Sequence, residues 1–149
     1  MKLSTRSRYA LRVLVNLARR YGMGTIPLGE ITKEENLSQE YVDNILRNLR
    51  DAGIVELRRG PSGGCALKVD PAELTVWDVL NKVDDFNLVP CDNFSPESKL
   101  CPNHESCPTT KFWRGLANTI KNYLAGKTLA DLVREHIDSQ DVHPFTYHI

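Results

Sequence analysis

Residues 37–69 read LSQEYVDNILRNLRDAGIVELRRGPSGGCALKV, and this stretch decides the fold. Ser38 stands where a helix N-cap is expected, and apolar residues recur at helical spacing until Gly53, a residue typical of helix C-termini. A short strand pattern, the glycine-rich turn Gly60–Gly64 and a second strand pattern follow. A capped helix followed by a basic β-hairpin predicts the recognition helix and the wing of a winged helix-turn-helix.

The sequence on either side of this stretch predicts a mainly helical chain with a small β-hairpin wing. The predicted helices run over Thr5 to about Tyr21, Leu28–Asn36, Ser38–Ala52, Thr75–Val83, Thr109–Ala125 and Thr128–Ile137. The helix of Thr109–Ala125 carries more large apolar residues than one short domain needs, so we expect it to pack against a second copy. The predicted divisions are a DNA-binding domain (1–83), a cysteine-rich loop (84–108), a long dimerisation helix with a C-terminal helix (109–140) and a tail (141–149).

Charge is distributed unevenly along a chain whose formal net charge is zero. Residues 1–60 hold 11 Lys and Arg against 7 Asp and Glu, whereas residues 61–149 hold 8 against 12. A basic front half suits a protein that offers one end to a polyanion. Because the sequence shows no signal peptide and no run of apolar residues as long as a membrane span, we expect a cytoplasmic protein. The expected partner is double-stranded promoter DNA, with neither a membrane nor a small-molecule substrate.

The candidate DNA-binding residues lie on the recognition helix, the wing and the first helix. An asparagine such as Asn44 can pair with adenine, and a carboxylate such as Asp43 can accept from the cytosine amino group. Arg59 on the wing is placed to enter a narrow minor groove, and Arg58 is placed to contact backbone phosphates. The full set of candidates is Ser38, Glu40, Tyr41, Asp43, Asn44, Arg59, Gly60, Arg6 and Arg8.

Three cysteines, each next to a proline, form the pattern C-x9-C-x5-C at Cys91, Cys101 and Cys107. Clustered cysteines in a reducing compartment favour metal or redox chemistry over structural disulfides. Three thiolates leave one coordination position for a weaker ligand, and His104 is the nearest nitrogen donor. Zinc would accept the same Cys3His set, so the spacing alone does not separate zinc from an iron–sulfur cluster. We expect the fourth cysteine, Cys65, to be a buried small residue of the wing.

Three segments resemble the iron–sulfur-cluster regulators of the IscR type, a family that includes NsrR and the cluster-free CymR. They are the opening Met1–Leu11, the turn Leu37–Tyr41 and the wing Arg59–Gly64. The resemblance covers about residues 1–135 and implies a homodimeric, cluster-binding transcription regulator that is not an enzyme. It also implies that the three cysteines hold the cluster, since cluster-free members lack them.

This chain departs from the family pattern at four places. Thr110 stands where IscR-like proteins have a ligating histidine, and Arg8 where NsrR-like proteins have an acidic ligand. The first cysteine gap is longer, and Cys65 stands where an aromatic residue is common.

A [2Fe–2S] cluster that tunes promoter recognition is the favoured function, with cluster-assembly genes among the implied targets. A [4Fe–4S] cluster or zinc is the alternative cofactor. The alternative functions are nitric-oxide or thiol-redox sensing, a non-sensing zinc module, and a thiol or electron-transfer enzyme. The enzyme is disfavoured because the chain has no Cys-x-x-Cys pair.

Overall fold

A computed structural model describes residues 3–84 and 101–141, and within these ranges the chain is mainly helical with one antiparallel hairpin. The predicted fold class, a winged helix-turn-helix followed by a long helix, is confirmed. No helix of the described ranges is long and apolar enough to cross a membrane. The elements are α1 (Thr5–Ala18), α2 (Leu28–Glu35), α3 (Gln39–Asp51), β1 (Val55–Arg58), β2 (Gly64–Leu67), α4 (Val76–Val83), α5 (Thr110–Ala125) and α6 (Leu129–Asp141).

Local capping fixes both ends of α3. The Ser38 hydroxyl accepts a hydrogen bond from the Tyr41 amide at 3.3 Å, which satisfies a donor that the first helical turn leaves unpaired. At the other end Gly53 adopts a φ of 74°, and the Ile54 amide donates to the Leu49 carbonyl at 2.9 Å. This is the Schellman pattern, and it turns Ile54 directly into the core as β1 begins. The buried face of α3 consists of Val42, Ile45, Leu46 and Leu49.

The wing is anchored to the connection between α1 and α2. Ile26 and Cys65 exchange two backbone hydrogen bonds of 2.8 Å, which adds a short third segment beside β2. A Cβ atom on Gly64 would collide with the Ile26 carbonyl oxygen, and one on Gly63 would collide with the Arg58 carbonyl oxygen. The two consecutive glycines are therefore required by backbone contacts.

One hydrophobic core joins α1, α2, α3, the wing and α4, and Leu129 at the start of α6 is part of it. A second, smaller cluster packs Trp77 of α4 against Ala117 of α5. The Val76 amide donates to the Lys127 carbonyl at 2.8 Å, so the connection between α5 and α6 is held beside the start of α4. The two C-terminal helices are thus attached to the core formed by the first four helices and the wing.

The C-terminal ends of several helices differ from the sequence-based prediction, and α6 continues to Asp141 rather than ending at Ile137. α1 ends at Ala18 rather than near Tyr21, because the Arg20 and Tyr21 amides donate three residues back, in tight turns before Gly22 with its φ of 79°. α2 ends at Glu35, one residue early, because Asn36 adopts the left-handed conformation.

Candidate DNA-binding face and cysteine segment

The surface of α3 opposite its buried face is polar and exposed. Glu40, Asn44 and Arg47 are exposed on this side, and Asp43 is half-buried at its edge. Ser38 is exposed at the N-terminus of the helix, where it was predicted to contribute to DNA binding. Of the predicted candidates, Tyr41 is the one that packs inward.

The Tyr41 ring is half-buried and meets the Tyr9 ring edge to face, with 5.6 Å between the ring centroids. The Arg12 guanidinium lies over the other ring of this pair, 5.2 Å from the Tyr9 centroid. Tyr41 therefore joins α3 to α1, and this contact positions the start of the recognition helix.

A cleft of about 590 Å³ separates α3 from the wing, and we call it the α3–wing cleft. Its charged lining residues are Asp43, Arg47, Arg50, Arg58 and Arg59, and Gly60 lies at its edge. Arg50 forms an ion pair with Asp51 at 2.9 Å, and Arg58 forms one with Glu56 at 2.8 Å. The structure thus brings predicted residues of the helix and of the wing around one basic cleft.

The sequence-based candidates did not include Arg47 or Arg50. Arg47 follows Asn44 by three residues, and helical spacing could have placed it on the same exposed face. The predicted Arg6 and Arg8 are exposed on the first turns of α1 and do not line the α3–wing cleft.

A polar network fixes the angle between α1 and α2. The Asn16 amide is buried and donates to Glu34 at 2.7 Å and to Glu35 at 2.9 Å. Arg12 pairs with Glu35 at 3.1 Å, and Arg20 pairs with Glu30 at 2.9 Å. The hydrogen bonds from Asn16 and from Arg20 lower the pKa of Glu34. Side chains of α1 thus bind Glu34 and Glu35 of α2, and Arg20, just after α1, binds Glu30.

The cysteine-rich loop predicted over residues 84–108 is called the cysteine segment, and its described part forms turns rather than an extended chain. The Cys107 amide donates to the Asn103 carbonyl at 2.9 Å, and the His104 amide donates to the Cys101 carbonyl at 3.0 Å. Cys101, His104 and Cys107 are all partly exposed on these turns. Cys91 lies outside the described residues. Within the described ranges, no three His, Cys, Asp or Glu side chains are grouped in a way that would hold a metal ion.

The environments of the described cysteines differ. The Thr109 hydroxyl, 3.2 Å from the Cys107 sulfur, together with nearby backbone and Thr110 hydrogen bonds, lowers the pKa of the Cys107 thiol. Burial raises the pKa of the Cys65 thiol to about 12, with a smaller contribution from Glu56. The expected buried position of Cys65 in the wing is confirmed, and its high pKa makes it a poor nucleophile.

Thr110 holds the turn that precedes α5. It is buried, and its hydroxyl donates to the His104 carbonyl at 2.9 Å. The position that carries a histidine in IscR-like proteins here supplies a structural hydrogen bond.

The family model described as Rrf2, an iron-dependent transcriptional regulator, matches residues 3–135. The chain belongs to the Rrf2 family. It is 31% identical over 134 residues to the transcriptional regulator IscR of Aliivibrio salmonicida, covering 89% of this chain and 77% of that protein. It is 32% identical over 143 residues to IscR of Serratia proteamaculans, covering 95% of this chain and 82% of that protein.

Solved structures of Rrf2 proteins share the fold. The structure of T. potens IscR matches with a TM-score of 0.74 and 26% identity, covering 99% of this chain and 97% of that one. The structure of CymR, the global cysteine regulator of B. subtilis, matches with a TM-score of 0.72 and 27% identity, covering 91% and 98%. The predicted resemblance to IscR-type regulators is confirmed.

This Rrf2 protein is a DNA-binding transcription regulator, since its relatives are named as transcriptional regulators. The same relatives speak against the thiol or electron-transfer enzyme considered from the sequence. The donor types in its cysteine segment fit a thiolate-bound metal centre. Cys101 and Cys107 are unpaired and half-exposed, with an imidazole between them in sequence. Soft thiolate donors suit iron–sulfur clusters and zinc.

Proposed function

We propose that this Rrf2 regulator is a homodimer that binds promoter DNA and adjusts this binding according to an iron–sulfur centre. The ligands would be Cys91, Cys101 and Cys107, and the centre would be [2Fe–2S], with [4Fe–4S] and zinc as the alternatives. The observation that carries the proposal is the pair of partly exposed thiols, Cys101 and Cys107, on turns that lead directly into α5. The proposed targets, by similarity to IscR, include genes for cluster assembly.

His104 is the proposed fourth ligand. Its Nδ1 atom is 2.9 Å from the Cys101 carbonyl oxygen, a contact that would fix the ring and leave Nε2 as the coordinating atom. The Glu105 carboxylate lies 3.9 Å from Nε2. Ligating histidines commonly hold their second nitrogen against a carbonyl in this manner.

A second copy of the chain would cover the exposed apolar face of α5. Phe112 is 65% exposed, and its ring packs edge to face against Trp113 with 5.0 Å between the centroids. Leu116 and Tyr123 lie on the same side of the helix and are also exposed. Pairing of two such faces would place two recognition helices on a palindromic site.

The two ends of the cysteine segment are attached to elements that support the DNA-binding face. The buried Ser7 hydroxyl of α1 donates to Asp84, the residue that caps α4 where the segment begins, at 3.2 Å. At the other end, Thr110 binds the turn and Trp77 of α4 packs on Ala117 of α5. When bound, the cluster would supply a centre that oxidants and iron scarcity can remove. Its presence or absence would then act on α1 and α4 through these contacts.

Anaerobic reconstitution with iron and sulfide, followed by visible absorption and Mössbauer spectroscopy, tests the proposed centre. We expect a coloured protein with the quadrupole doublets of a [2Fe–2S] cluster, and no cluster in the variant with all three cysteines replaced by serine. His104→Ala should retain the cluster with changed iron parameters at one site. A colourless protein carrying stoichiometric zinc would contradict the proposal.

A further inference from the structure

We propose that Arg47 of each subunit binds one backbone phosphate of the DNA duplex inside the α3–wing cleft. The inference rests on the proposed DNA-binding mode and adds a positioning residue to it. If α3 lies in the major groove and the wing lies in the adjacent minor groove, the strand that separates the two grooves has to pass between them. The α3–wing cleft, with a volume of about 590 Å³, lies between these two elements and would hold this strand.

Among the described residues on the helix side of this cleft, Arg47 is the arginine that forms no ion pair. Arg50 is bound to Asp51 at 2.9 Å, and Arg58 of the wing is bound to Glu56 at 2.8 Å. Within the described ranges, Arg47 is exposed and has no ion pair. A free guanidinium beside a passing strand has the charge and the paired donors that a phosphate requires.

The lining of the cleft also allows the backbone of DNA to approach closely. Gly60 and Gly63 line the wing side, where no side chain projects from them toward the helix. Asp43 lines the helix side one turn before Arg47, and its carboxylate would repel a phosphate. Arg47 supplies the opposite charge four residues later. Arg47 thereby offsets the cost of keeping an acid on the reading face of α3.

Arg47 and Arg59 would therefore differ in what they contribute. Arg59 reaches a groove and would contribute to sequence preference, whereas a phosphate carries no sequence information. Loss of Arg47 should weaken binding to every duplex by a similar factor. Its loss should also reduce the salt dependence of binding, because each subunit of the dimer then releases one counterion fewer.

The test compares Arg47→Gln with the wild type and with the control Arg134→Gln, which removes an exposed arginine of α6 that pairs with Asp131 and does not line the cleft. Binding to the chain's own upstream duplex and to a scrambled duplex is measured by fluorescence anisotropy over a series of salt concentrations. For Arg47→Gln we expect about tenfold weaker binding to both duplexes and a log–log salt slope smaller by about 1.8, since the dimer loses one phosphate contact of about 0.9 from each subunit. Arg134→Gln should match the wild type.

A methylphosphonate scan of the duplex locates the phosphate. One neutralised position in each half-site should weaken the wild type and have no further effect on Arg47→Gln. An unchanged salt slope, or a loss confined to the upstream duplex, would overturn the assignment of Arg47 to a phosphate. Failure of the wild type to prefer its upstream duplex at any salt concentration would instead contradict the proposed function.

Discussion

Asn16 shows at the scale of one residue how α1 controls the position of α2. Its buried amide donates to Glu34 and Glu35, and the bond to Glu34 favours the charged form of that carboxylate. A polar side chain of this kind costs free energy to bury unless its partners are present. The two helices are therefore held in one relative orientation.

Glu34→Gln tests this network through pH. The pKa of Glu34 in the folded protein lies below its ordinary value of 4.5, mainly because Asn16 and then Arg20 donate to the carboxylate. A depressed pKa contributes stability above the unfolded-state value, and this contribution is lost as the pH falls through the folded-state value. The wild type should be more stable than Glu34→Gln at neutral pH, with the difference shrinking below pH 4.5. Urea unfolding at a series of pH values measures this, and a difference independent of pH would contradict it.

Single residues were the hardest features to predict from the sequence. The burial of Cys65 followed from its place in the return strand of the hairpin, and the structure confirms it. Asn16 was missed because a polar residue within an apolar helical pattern gives no sign of its partners, which lie 18 and 19 residues further along the chain.

At the scale of elements, the wing depends on backbone contacts at Gly64. In Gly64→Ala the new methyl group would meet the Ile26 carbonyl, so β2 would have to move away from its neighbour. We expect a loss of about 1–3 kcal/mol in unfolding free energy, measured by urea denaturation. Gly29→Ala in α2 is the control, because nothing lies within 4 Å of its Cβ position. It should be neutral or gain roughly 0.5–1 kcal/mol. Equal effects of the two substitutions would show that the Ile26 contact does not constrain the wing.

The proposed dimer interface on the exposed apolar face of α5 can be tested by a single substitution. Leu116→Glu would place a charge at the centre of the proposed dimer interface, where Phe112 and Tyr123 are also exposed. We expect sedimentation velocity to show dissociation into monomers, with dimer affinity reduced by about 2 kcal/mol or more, roughly thirty-fold.

Asn122→Glu is the matched control for α5, since this exposed residue lies on another side of the same helix. It should remain as dimeric as the wild type. Dimers of unchanged affinity in Leu116→Glu would show that this face is not the interface.

Most elements could be predicted because their signals are local. The cap at Ser38, the apolar period of α3 and the glycines of the wing are read within a few residues of one another, and α3 and the hairpin were predicted correctly. The end of α1 was wrong, since apolar spacing continues past Ala18 while the backbone already turns. The turns that contain Cys101 and Cys107 depend on contacts such as Thr110 to His104, which no periodic pattern reveals.

At the scale of the whole molecule, the proposed sensor and the DNA-binding face are joined by a short path. Ser7 of α1 contacts Asp84 at the start of the cysteine segment, and the same helix binds α2 through Asn16. Tyr9 of α1 meets Tyr41 at the start of α3. A change in the cysteine segment can thus reach both helices of the helix-turn-helix through α1.

The affinity of apo and anaerobically reconstituted protein for the chain's own upstream DNA, measured side by side at one salt concentration, tests the central claim most directly. We expect at least about a fivefold difference between the two forms, within the usual range of allosteric coupling. The difference should vanish when Cys91, Cys101 and Cys107 are replaced by serine. Equal affinity of the two wild-type forms would contradict the claim that the cysteine segment controls DNA binding.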